Sequence, residues 1–244
     1  MSSRTPDNYL AIDTASPVLS VALAAGNNEW YFEADAGSVH SQLIMEVVDM
    51  LCEKARITPQ ELSAVFCMRG PGSFTGLRIG FAGAKGLALA LDIPFIPVST
   101  LDCMARPFSM WPGIVIPVID AKKNAYFYAL YSDGNRISSD ADAGADTITG
   151  QIRETRNRQS GELPHILLTG PDTGKLRDEL TQDEEISRSG CLRIAPFCRA
   201  GYARELLAIA KEQTATPGDF FAGPDYIRKS DAELNSEKQK ENVR

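Results

Sequence analysis

Arg69-Gly-Pro-Gly-Ser-Phe-Thr-Gly-Leu-Arg-Ile-Gly80 joins a short apolar run, Ala64 to Met68, to a long segment of helical periodicity. A five-residue apolar run bounded by turn residues reads as a buried strand. Gly70, Pro71 and Gly72 make the turn, and Ser73 stands where a helix N-cap belongs. A strand, a tight turn and a helix in that order specify an α/β fold. Backbone N–H groups at such a helix start can hold an anion, which makes Gly70, Gly72 and Ser73 candidate nucleotide- or anion-binding positions. The pattern is neither GxxxxGK[ST] nor GxGxxG, and turn chemistry alone favours a plain β-to-α turn capped by Ser73.

The helix that follows, from about Phe74 to Leu91, carries two apolar stripes. Gly76, Gly80, Gly83, Leu87 and Ala90 form one; Phe74, Leu77, Phe81, Ala84 and Ala88 form another, about 120° away. Arg78 and Lys85 give only a narrow charged line between them. One apolar face serves the helix's own sheet. The glycine-lined face suggests a second helix approaching from outside, though a helix wholly buried in its own domain would show the same pattern. Ser38 reads as the N-cap of an earlier helix to about Ala55, with Val39, Leu43, Val47, Met50 and Leu51 along one face.

Working outward, three β-type runs open the chain: Tyr9 to Asp13, Val18 to Ala24 and Glu29 to Ala34. The second half begins alike, with a strand from Gly113 to Asp120 that also ends in Ile-Asp, then Ala125 to Tyr131 and a turn at Asp133-Gly134. A short helix is expected near Thr147 to Arg153, a strand at His165 to Thr169, and helices at Gly174 to Leu180 and Pro196 to Lys211. Both halves thus read β-β-β-α-β-α, two related lobes covering 1–108 and 109–228. Ser138 to Ser160 is expected to be rich in loops, and 229–244 reads as a disordered polar tail.

Asp13 and Asp120 each end a first strand. In a duplicated nucleotide-handling fold such an aspartate faces a metal–nucleotide in the interlobe cleft, whereas an Asx turn is the commoner use. Asp13-Thr-Ala-Ser-Pro lacks the glycines that let a hairpin close on phosphates, which argues against an independent ATPase. The formal net charge of -7 disfavours binding tRNA without help. Five scattered cysteines without a CxxC pair fit reduced thiols. His40 and His165, the only histidines, form neither HxxxH nor HExxH, and no nucleophilic triad can be argued from spacing. No apolar run approaches 18 residues, so no membrane span and a cytoplasmic location are expected.

LAIDTAS followed by SVAL, HSQ at a helix start, RGPGSFTGLRIG, AKGLALAL, IPVST and the late PDYIRKSDAE together resemble the TsaB (YeaZ) family from about Tyr9 to Glu233. The resemblance implies an actin/hsp70/sugar-kinase-like (ASKHA) fold. It implies a non-catalytic subunit working beside TsaD and TsaE to form threonylcarbamoyladenosine next to the tRNA anticodon. ATP would be used by the complex and not hydrolysed by this chain, which carries no catalytic or metal residues and meets tRNA only through the complex. TsaD relatives hold their metal with an HxxxH pair, absent here. Pairing with TsaD through the two N-terminal-lobe helices would place Val39, Leu43, Val47, Phe74, Gly76, Leu77, Gly80, Gly83 and Leu87 in the interface. Self-association through the same helices is the alternative when the partner is absent. On this reading Gly80→Arg abolishes pairing and spares the fold. A self-sufficient kinase-like enzyme of the same fold, or a peptidase, are the competing readings.

Overall fold

Alternation along the strands dictates the layers. β1 (Tyr9–Asp13), β2 (Val18–Ala25) and β3 (Asn28–Asp35) form an antiparallel meander. After α1 (His40–Ala55) the chain adds β4 (Ala64–Gly70), α2 (Phe74–Leu91), β5 (Phe95–Ser99) and α3 (Thr100–Ala105). The sheet order is β3-β2-β1-β4-β5, with β4 parallel to both of its neighbours. The computed structural model describes residues 8–37, 39–159, 164–196, 201–212, 223–225 and 227.

The second half repeats this plan with β6 (Ile114–Lys122), β7 (Ala125–Tyr128), β8 (Tyr131–Ser132), β9 (Asn135–Arg136) and β10 (Ala141–Ala143). Then follow α4 (Ala145–Gln159), β11 (Ile166–Thr169), α5 (Thr173–Leu180), α6 (Glu184–Ser189), β12 (Leu192–Ile194) and α7 (Ala203–Glu212). The order β10-β7-β6-β11-β12 matches the first sheet position for position. The expected strand from Ala125 to Tyr131 is split: β7 pairs one end of β6 and β8 the other, and β9 pairs β8 alone.

Because strand side chains alternate, each sheet feeds two cores. Leu10, Ile12, Val65 and Cys67 point outward under α1 and α2, while Ala11, Phe66 and Met68 point inward. In the second sheet Ile114, Ile116 and Val118 point outward with Ile148 and Ile152 of α4, and Val115 points inward. The inner core, between the sheets, is filled by Leu101 and Met104 of α3 and Leu206 and Leu207 of α7. α2 has the length and apolarity of a membrane span, unlike the sequence expectation. Its buried Gly76, Leu77, Gly80, Phe81, Ala84 and Ala88 mark it as a core helix on the sheet.

Several expectations change. α7, read as part of the second lobe, returns to pack on β1, β2 and β4 of the first. The region Ser138 to Ser160 is not loop-rich: α4 occupies most of it, anchored by Ile148 and Ile152, four apart and wholly buried. The expected strand after Asp133-Gly134 shrinks to the two residues of β9. α1 begins with Val39 at the N-cap position and no side-chain cap, and Ser38 lies outside the described residues, as do 229–244.

Leu206 is wholly buried in the inner core, so Leu206→Ala is expected to cost about 2–5 kcal/mol. Denaturant unfolding of the full chain checks this; a loss under about 0.5 kcal/mol, the level of an ordinary surface substitution, would show that α7 is not part of that core.

Candidate interlobe site and partner face

The first-lobe site is built on the turn between β1 and β2. Asp13 ends β1 almost wholly buried, and its Oδ1 accepts from the Ala15 N–H at 2.9 Å, an Asx turn. Its Oδ2 accepts from the Tyr202 N–H at 2.8 Å, just ahead of α7, and the next N–H, of Ala203, donates to Ser20 Oγ at 2.9 Å. The returning helix is therefore fixed at its N-terminus by groups of β1 and β2. Burial raises the Asp13 carboxyl to about 6 despite these two donors, and the charges of Glu33 and Glu205 add to the rise. Both oxygens serve the protein's own backbone, which argues against Asp13 as a metal–nucleotide ligand.

Thr14 and Ala15 tie the same turn to α2. Thr14 Oγ1 donates to the Gly76 carbonyl at 2.8 Å, and the Ser73 N–H donates to the Ala15 carbonyl at 2.7 Å. Ser73 Oγ accepts from the Gly76 N–H at 3.2 Å, so Ser73 caps α2. Gly72 lies against Ala15, where a Cβ would come within 2.5 Å of its carbonyl oxygen. Gly70, at φ +112, lies against the Asp225 carbonyl and Leu77. Gly70, Gly72 and Ser73 thus form a turn packed on the protein's own β1–β2 loop, with the exposed Ser73 on the wall of the interlobe cleft.

The glycine stripe is likewise used internally. A Cβ at Gly76 would overlap the Thr14 carbonyl oxygen, and one at Gly80 would overlap Thr14 Oγ1. Gly83 faces α1, with its Cβ position 3.6 Å from Ile44 and Met45. Gly76, Leu77, Gly80 and Val47 are buried within the first lobe, which removes them from any partner interface. Leu43, Gly83 and Leu87 are half-buried, while Val39 and Phe74 are exposed. The open surface of the helix pair lies round the axis from the expected stripe. On α2 it comprises Ala82, Gly86, Leu89 and Ala90, and on α1 Met45, beside Gly83. Leu89 is 74% exposed, and the Cβ position of Gly86 has no neighbour within 4 Å. The spacing 82, 86, 89 is that of one helical face and was legible, but the glycines drew attention to the other side.

The interlobe cleft encloses about 600 Å³. Asp13, Asp35, Asp120 and Asp172 line it, with Lys122 as a counter-charge. Asp120 repeats the Asp13 geometry, its Oδ1 accepting from the N–H two residues on, at Lys122, at 2.8 Å. Its Oδ2 takes the Lys122 ammonium at 3.0 Å, which holds the carboxyl below the usual range. Its own N–H donates to Asp172 Oδ2 at 2.8 Å. Lys122, Lys123 and Asn124 all adopt left-handed backbone, at about 1 kcal/mol each. Carboxylates outnumber cations on these walls, which repels a polyphosphate that carries no metal ion. Of the two histidines, His40 is buried at the start of α1, and the His165 carbonyl accepts from Ile114 and Trp111. Among the described residues no group of three His, Cys, Asp or Glu is placed to hold a metal.

Two lobes of matching strand order around a cleft define a protein of the actin/hsp70/sugar-kinase-like class. A family model described as "TsaD: tRNA N6-adenosine threonylcarbamoyltransferase" matches residues 34–163. The tRNA threonylcarbamoyladenosine biosynthesis protein TsaB of Bacillus subtilis (strain 168) is 30% identical over 229 residues, covering 92% of this chain and 95% of that protein. TsaB of Escherichia coli (strain K12) is 35% identical over 185 residues, covering 72% and 79%. YeaZ from Pseudomonas aeruginosa shares the fold, with a TM-score of 0.61 at 21% identity over 84% of this chain and 92% of that one. The chain belongs to the TsaB family, whose curated members take part in tRNA threonylcarbamoyladenosine biosynthesis.

Two outcomes follow from the geometry. Gly76→Ala and Gly80→Ala force Thr14 out of place and are expected to cost about 2 kcal/mol or more, whereas Gly86→Ala gains up to about 1 kcal/mol of helix propensity. Thermal unfolding of the three variants checks this, and equal effects would refute the packing. The folded protein holds the Asp13 proton more tightly than the unfolded chain, about 6 against 3.8. This group therefore favours folding fully below pH 3.8, and its contribution, up to about 3 kcal/mol, is lost as pH rises through 6. The stability of the wild type relative to Asp13→Asn is expected to rise as pH falls from about 7.5 to about 4.5; urea titrations across that range test it, and a flat difference contradicts it.

Proposed function

We propose that this chain is a non-catalytic subunit that pairs with a TsaD-type paralogue through the outer face of α1 and α2, within the machinery that forms threonylcarbamoyladenosine on tRNA. The observation that carries the reading is the closed β1–β2 turn: Asp13, Thr14 and Ala15 spend their polar groups on α2 and α7. A kinase-like enzyme of this fold needs that turn open to phosphate. ATP is accordingly assigned to the partner subunits, TsaE among them, and tRNA contact to the assembled complex.

The outer face suits a partner helix. Ala82, Gly86 and Ala90 let a backbone approach closely, and Leu89 of α2 and Met45 of α1, which reaches Gly83, supply exposed apolar side chains. Met side chains adapt to a partner's contour at small cost. The same face serves for self-association when the partner is absent. Its residues differ from the glycine stripe, so the informative substitution moves from Gly80 to Gly86.

Gly86→Arg is expected to keep the fold, judged by circular dichroism and melting, and to weaken binding to the TsaD paralogue by about a hundredfold or more, since an arginine would be buried unpaired at the contact. Gly80→Arg is expected to unfold the chain instead. Full binding by Gly86→Arg would remove this face from the interface. Purified chain alone is expected to show no ATP turnover above a buffer blank; robust turnover abolished by Asp120→Ala would favour the kinase-like enzyme.

A further inference from the structure

A cluster of charged groups on the back of α3, away from the cleft, takes no part in the site described above. Arg136 of β9 donates from Nε to Asp102 Oδ1 at 2.9 Å and from Nη2 to the same oxygen at 2.6 Å. Nη2 also reaches Ser99 Oγ at 3.1 Å, and Nη1 donates to Asp140. Ser99 Oγ donates to Asp140 Oδ2 at 3.0 Å while accepting from the Leu101 N–H. Tyr131 Oη donates to Asp102 Oδ1 at 2.7 Å, and the Arg136 guanidinium lies 5.1 Å from the Tyr131 ring centroid. Arg69, at the end of β4, comes within 3.7 Å of Asp140. Arg69 and Ser99 belong to the first sheet, Tyr131, Arg136 and Asp140 to the second half, and Asp102 to the crossover helix between them.

A hinge between lobes needs a weakly packed crossing that can absorb rotation. The crossing here has three ties of different kinds. The guanidinium network binds α3 and β5 to the β8–β9 hairpin. The Asp13–Tyr202 and Ser20–Ala203 bonds fix α7 to the first lobe. The inner core runs without a break from Phe66 and Met68 through Leu101 and Leu206 to Val115, Tyr131 and Leu167. We propose that Arg136 pins an interlobe lock which makes the two lobes one rigid body, so that the chain does not close on a ligand in its cleft as a hinged two-lobe protein does. Partly buried charge networks add little net stability, and their best-attested use is to fix a geometry. Removing Arg136 takes away the cation that Asp102 and Asp140 share and leaves Asp140 with the cation of Arg69, at 3.7 Å.

Hydrogen exchange and small-angle X-ray scattering on the full chain test the lock. Arg136→Ala is expected to speed exchange about tenfold or more in residues 99–106 and 131–141, to leave α1 and α2 unchanged, and to enlarge the radius of gyration. Arg136→Lys, which keeps the charge but not the fork, is expected to fall between the variant and the wild type. The wild type is expected to scatter identically with and without Mg-ATP. Unchanged exchange in Arg136→Ala overturns the proposal, as does compaction of the wild type by Mg-ATP. Should Arg136→Ala loosen the whole protein, Ser99→Ala decides, since it removes the hydroxyl that bridges Arg136 and Asp140 and caps α3 but no charge: loosening confined to the crossing upholds the lock, and none overturns it.

Discussion

The insertion of the β1–β2 turn between the first turns of α2 and α7 is the constraint on which the structure depends. Three successive residues do the work: Asp13 holds α7, Thr14 lies on the glycines of α2, and Ala15 receives the Ser73 N–H. Glycine at 76 and 80 follows from the second contact, since no side chain fits beneath Thr14. The destination of α7 follows from the first. A helix start whose N–H groups meet a buried carboxylate is stabilised where it stands, and its Leu206 and Leu207 then close the inner core.

This arrangement commits the β1–β2 turn to contacts within the protein itself. In a duplicated α/β protein the first-strand aspartates and the adjoining turns face the cleft from both lobes. Here Asp13 and Asp120 share one Asx geometry, and each also meets a cation or an N–H donor of the chain. The lobes keep the symmetry of their strand order while their loops serve assembly. The surface proposed for a partner is the outer helix pair, where Leu89 and Met45 stand exposed.

Much of this was legible in the sequence, and the failures have physical causes. The turn at Gly70 to Gly72, the cap at Ser73 and the duplicated strand plan follow from local chemistry, and the structure bears out both the cap and the plan. The glycine stripe was visible too, yet periodicity reports that a face is closely packed and not what packs there. Its neighbour, Thr14, lies 62 residues from Gly76, beyond the reach of any local pattern. The expected helix at Thr147 to Arg153 contains both anchors of α4, Ile148 and Ile152, but its length was underread because the rest of α4 is polar. The return of α7 rests on Asp13 and Tyr202, 189 residues apart.

The closed turn makes a claim that nuclear magnetic resonance reads directly. The amide signals of Ala15, Ser73 and Tyr202 report the three N–H groups that the turn and α7 have engaged within the protein. Titrating the isolated, labelled chain with Mg-ATP into the millimolar range is predicted to leave these signals in place. Saturable shifts at those three amides with a dissociation constant in the micromolar range would contradict the account, because the turn would then be open to phosphate.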